Sequence, residues 1–116
     1  MYPKAQRAKP GKRPPTKEEA RWMSAIVDHG CIACQLDGHE PRPTAVHHIK
    51  RGGLRIGHLF SLPLCDPGHH QNGQPLGLVS VHPFKARFEQ IYSTELELLA
   101  LLKVRLGFFD KYEVEA

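Results

Sequence analysis

Three cysteines and eight histidines stand among the 116 residues of this chain. An odd cysteine count argues against a disulfide framework. Cysteine together with excess histidine reads instead as metal chemistry in a reducing compartment. Cys31 and Cys34 have the C-x2-C spacing that lets two thiolates hold one tetrahedral zinc ion. A closed structural site needs two further ligands. Cys65 is the third cysteine, and Cys65-x3-His69 completes a Cys3His set, with His70 as the alternative fourth ligand. A classical zinc finger would need a histidine about four to six positions after His47, where Arg51, Gly52 and Gly53 stand. A thioredoxin-like motif would need a strand–helix context that this segment lacks.

The second constellation is Val46-His47-His48-Ile49. Adjacent residues on a strand face opposite ways, so one imidazole can bind an ion while the other points elsewhere. Phosphodiester hydrolysis uses both parts. A base near neutral pKa takes a proton from water, and a cation offsets the charge on the phosphate and the leaving oxygen. His70 and His82 lie further along and can complete the metal site. His29 and His39 read as ordinary surface or core histidines.

Helices and strands must position these groups. Thr16-Lys17-Glu18-Glu19 has capping-box spacing and predicts the start of a first helix, with Trp22, Met23, Ile26 and Val27 inward and Gly30 as its stop. A zinc knuckle follows, then a strand over 44–49. A basic, glycine-bearing connection runs over 50–57 and a second strand over 59–64, ending on Cys65. Asp66-Pro67-Gly68 predicts a turn, and 71–77 a glycine-rich loop. Pro83 suits the first position of a helix over 83–92 with Phe84, Phe88 and Ile91 on its buried side. Thr94 to Glu97 is a second capping box. It opens a leucine-rich helix ended by Gly107, whose leucines can also pack on a partner.

Charge is uneven. Met1 to Arg21 holds seven Lys/Arg against two Glu, a net of +5, so the remaining 95 residues sum to −1. The overall isoelectric point of about 9.1 points to an anionic partner, nucleic acid first. Residues 1–15 have almost nothing to bury and are expected to form a disordered basic arm, with one domain over 16–116. Lys4, Arg7, Lys9, Lys12 and Arg13 in the arm, and Arg51 and Arg55 in the connection, are candidate DNA contacts. Lys85 and Arg87 are further candidates for phosphate. The first segment lacks the apolar centre of a secretory signal, and no apolar run is long enough to span a membrane.

At GCIAC (30–34), AVHHIKRG (45–52), LPLCDPGHH (62–70) and SVHPFKARFEQIYSTELELL (80–99) the chain resembles the HNH, or ββα-metal, endonucleases. Within them it is most similar to the Ref-like phage recombination-enhancement nucleases. The resemblance spans about residues 16 to 105. It implies an α+β fold: a small ββα-metal core with a zinc knuckle and flanking helices. It implies that His48 is the general base, that His47 and His70 hold the catalytic ion, and that His82 is a further active-site histidine. It implies 5′-phosphate and 3′-hydroxyl products, and dependence on a RecA filament. The cofactors expected are a structural Zn²⁺ and a catalytic divalent ion, Mg²⁺, Mn²⁺ or Zn²⁺. The location expected is the cytoplasm of a bacterial host. The family's middle asparagine has no clear match; Phe60 falls near its place, and nearby His58 is a candidate orienting group. The alternative reading is a non-catalytic zinc module that binds DNA through its arm. A zinc-stabilised protein-interaction domain built on the leucine helix is a third.

Overall fold

The computed structural model describes residues 14–40 and 42–108. Lys4, Arg7, Lys9, Lys12 and Arg13, and so nearly all of the expected arm, lie outside the described residues. Helix α1 (Lys17–His29) begins at Thr16, whose hydroxyl accepts from the Glu19 amide while the Glu19 carboxylate accepts from the Thr16 amide. Both bonds satisfy amides that a helix start leaves without intrahelical partners. Gly30, at φ 88°, stops the helix as expected. A short helix α2 (Ile32–Leu36) follows, so Cys34 sits in a helical turn rather than an open knuckle.

Strands β1 (Thr44–His48) and β4 (Ser61–Cys65) pair antiparallel, with Thr44 opposite Cys65 and His48 opposite Ser61. The basic connection between them is itself a small hairpin, β2 (Lys50–Arg51) with β3 (Leu54–Arg55), turning through Gly52 and Gly53. Helix α1 lies on the β1–β4 ribbon. Trp22 and Ile26 meet Leu62, Leu64, Phe88, Leu98 and Leu102 in one core. Each such side chain contributes roughly 1.5–3 kcal/mol on burial. Trp22 also keeps its indole N–H satisfied, donating to Ser61 Oγ at 3.1 Å.

Beyond β4 the chain makes irregular turns and a single 3₁₀ turn at Gln74–Leu76. Helix α3 spans Val81–Tyr92, but His82 (φ −106°, ψ 113°) and Phe84 (φ −100°, ψ 49°) are not helical. The expected regular start at Pro83 is therefore corrected: the regular helix begins after Phe84. The inward stripe changes with it. Phe84 and Ile91 are exposed, and Phe88 packs on Tyr92, one turn further, with ring centroids 4.8 Å apart. Helix α4 (Glu95–Leu106) has its capping box at Thr94 and Glu97 and its stop at Gly107. It buries Leu98, Leu99 and Leu102 and leaves Leu96 and Val104 exposed. No helix among the described residues is long and apolar enough to cross a membrane.

Candidate active site and metal centres

Cys31, the N-cap of α2, Cys34 inside α2, Cys65 ending β4 and His69 in the following turn come together, all buried. His69 Nδ1 lies 3.4, 3.6 and 3.3 Å from the sulfurs of Cys31, Cys34 and Cys65, and the Cys34 and Cys65 sulfurs are 3.7 Å apart. A tetrahedral zinc with bonds of about 2.3 Å to sulfur and 2.0–2.1 Å to nitrogen spaces its ligands at about 3.5–3.8 Å. The residues present fit such an ion. Amides of Cys34 and His69 donate to the Cys31 and Cys65 sulfurs. Burial pushes the Cys31 and Cys65 thiols up; a bound dication supplies the charge that favours thiolates.

The tautomer of His69 is held from behind. Its Nε2 faces Asp37 Oδ2 at 3.2 Å and Tyr92 Oη at 3.0 Å, and the Tyr92 hydroxyl donates to Asp37 at 2.9 Å. Burial lowers the His69 pKa despite the nearby Asp37 carboxylate, which suits a neutral ligand. Gly68 is required here. Its φ is +151°, and a Cβ at this position would overlap Cys65 Sγ. Asp37 and Tyr92 escaped the sequence reading, because a carboxylate and a phenol 55 residues apart carry no local pattern.

The neighbouring residue belongs to a different cluster. His70 turns toward His47 and His82, and one ring nitrogen from each lies within 4.8 Å of the others. The ring centroids are 5.3 Å (His47–His70), 5.0 Å (His47–His82) and 5.1 Å (His70–His82) apart. The backbone brings them there. The His82 amide donates to the His70 carbonyl at 3.1 Å, and the Val81 amide to the His69 carbonyl at 2.8 Å. This strand-like pairing accounts for the extended His82 at the start of α3. Three imidazoles converging on one point suit a divalent ion with open positions. Burial, then the charges of His47 and His70, lower the His82 pKa. His70 Nδ1 meets Asp66 Oδ2 at 3.2 Å. Buried His47 meets the buried carboxylate of Glu95 through Nε2.

His48 and His47 have separate partners, as strand alternation requires. His48 Nε2 lies 2.9 Å from His58 Nδ1, while His48 Nδ1 is shielded from solvent and without a hydrogen-bond partner. Burial first, then the charges of Arg55, His58 and His47, lowers the His48 pKa to about 4. Both histidines line one cleft of about 220 Å³ with Lys50, Val81, His82, Pro83, Lys85 and Glu95. Arg51 on the hairpin is exposed and Arg55 half-buried. His58, not Phe60, holds the His48 ring.

A small α+β scaffold thus carries a Cys3His set fit for zinc and, one residue further on, a three-histidine cluster beside a paired fourth histidine. The chain belongs to the recombination enhancement, RecA-dependent nuclease family, whose model matches residues 15–106.

Proposed function

We propose that the chain is a metal-dependent DNA endonuclease on the ββα-metal (HNH) plan, targeted by RecA filaments on DNA. One observation carries the reading: His47, His70 and His82 converge within 4.8 Å of one another, with His48 lining the same cleft as His47 and His82. Membership of a family of RecA-dependent nucleases supports it.

His47, His70 and His82 would hold a divalent ion, which when bound would supply positive charge to the scissile phosphate and the leaving 3′ oxygen. His48 acts as general base. His58 engages its Nε2 and holds the ring in the cleft, while Nδ1 has no hydrogen-bond partner. Burial keeps His48 in its neutral form, the form that can accept a proton. Cys31, Cys34, Cys65 and His69 hold a structural zinc. Arg51, Arg55 and the arm residues Lys4, Arg7, Lys9, Lys12 and Arg13 bind phosphates and give salt-sensitive affinity. Products carry 5′-phosphate and 3′-hydroxyl ends. The reading sets this work in the bacterial cytoplasm, where RecA acts.

The test is cleavage of a DNA circle with Mg²⁺ or Mn²⁺, with and without RecA filaments, comparing wild type with His48→Ala. Cutting by the wild type alone, enhanced by RecA, is expected. If neither protein cuts while both bind DNA and retain zinc, the chain is a binding module instead.

A further inference from the structure

We propose that Glu95 is a positioning residue for the three-histidine centre: it accepts a hydrogen bond from His47 Nε2–H and so presents Nδ1 of that ring to the ion. The inference rests on the endonuclease reading above and adds a residue to it.

Glu95 is only 5 % exposed. A buried carboxylate is costly unless charge and hydrogen bonds compensate it. A first-turn acid suits the helix dipole, but that interaction does not require burial. The capping box of α4 is complete with Thr94 and Glu97, so Glu95, the first residue of the helix, is not needed as a cap. Its own amide bonds to Glu89 Oε2 at 3.2 Å, which fixes where the residue stands. Its two oxygens are then divided. Oε2 faces His47 Nε2, and Oε1 meets Lys85 Nζ at 3.2 Å. Lys85 is half in solvent, so the buried end of this group of three is the one that reaches the histidine.

Glu95 is not one of the mutually close ligand groups, which are His47, His70 and His82 among the described residues. On the proposal it stands behind the ligand, on the Nε2 side of the His47 ring. A neutral imidazole that donates from one nitrogen has its lone pair on the other. A carboxylate on the donating side fixes the tautomer, holds the ring and raises its basicity as a ligand. His70 has a comparable partner in Asp66 at 3.2 Å, but that pair is partly solvated and four residues apart, whereas Glu95 reaches His47 across 48 residues.

The test uses the full chain with zinc already in the cysteine site and Co²⁺ as the probe of the histidine site. Co²⁺ is titrated by its visible d–d absorption into wild type, Glu95→Leu, Glu95→Gln and His70→Ala. In Glu95→Leu the affinity should fall about 10–100-fold. Glu95→Gln, whose amide oxygen still accepts from Nε2–H, should recover most of it. Equal affinity in wild type and Glu95→Leu, with binding lost in His70→Ala, overturns the role of Glu95 alone. No Co²⁺ binding by the wild type overturns the histidine centre and the endonuclease reading with it. Should Glu95→Leu not fold, long-range ¹H–¹⁵N correlation on zinc-saturated wild type decides. A proton on His47 Nε2 is expected, and a proton on Nδ1 overturns the proposal.

Discussion

His48 Nε2 and His58 Nδ1 lie 2.9 Å apart, joining the end of β1 to the loop before β4. One nitrogen of each ring is thereby engaged by the other. On the endonuclease reading, His58 is the residue that would orient His48, for which the resemblance to HNH nucleases leaves no asparagine.

The His48 pKa of about 4 against an ordinary 6.5 makes a pH prediction. Folding favours the neutral ring, so between these values the unfolded chain binds more protons. Its contribution to stability is full above pH 6.5 and is lost as pH falls toward 4. Urea unfolding of the zinc-loaded protein at pH 6.5 and pH 5 should show a larger loss for wild type than for His48→Gln. An NMR titration of His48 should give a midpoint well below 6.5; a midpoint at 6.5 or above contradicts the burial argument.

Ser61 links the core to this pair. It accepts from Trp22 Nε1 at 3.1 Å and donates to the His58 carbonyl at 2.7 Å. Ser61→Ala strands a buried indole N–H and should cost about 1–3 kcal/mol. It should also loosen the loop that carries His58, lowering cleavage more than DNA binding. Denaturant melts and paired cleavage and binding assays check both parts.

Asp37 and Tyr92 share His69 Nε2. Asp37→Ala should weaken zinc about 10-fold or more, measured by competition with a chromophoric chelator. Tyr92→Phe removes one partner and leaves the carboxylate, so its effect should be smaller. Unchanged affinity in Asp37→Ala would mean that Tyr92 and the cysteine cage suffice to orient the ring.

Gly68→Ala places a methyl on Cys65 Sγ at a backbone angle that L residues rarely adopt. Zinc content after purification should fall, and unfolding should come roughly 4 kcal/mol or more earlier if the ion is lost. Gly52→Ala, in open space on the hairpin but also at positive φ, is the control. It carries the backbone cost without the thiol clash and should retain zinc.

What the sequence made legible was local. Both capping boxes and the stops at Gly30 and Gly107 follow from residues a few positions apart, and all four are present. The Cys3His grouping could be read because metal ligands come in short spacings; the choice between His69 and His70 could not. That choice depends on the turn after Pro67, which faces His69 to the thiols and His70 to His82. The α3 stripe misled because periodicity assumes a regular helix, and the His70–His82 backbone pairing pulls the first turn out of it. Glu95 stayed hidden for another reason. An acidic residue at the first position of a helix is already accounted for by the helix dipole, so nothing drew the eye to a partner on β1.

His69 and His70 are successive residues serving different centres. A single peptide unit is therefore shared hardware, with few free torsions between one ligand set and the next. The turn that carries His69 to the thiols is the same turn that carries His70 to His47 and His82. On the endonuclease reading, a disturbance at the cysteine cage would reach the histidine centre through that one peptide unit.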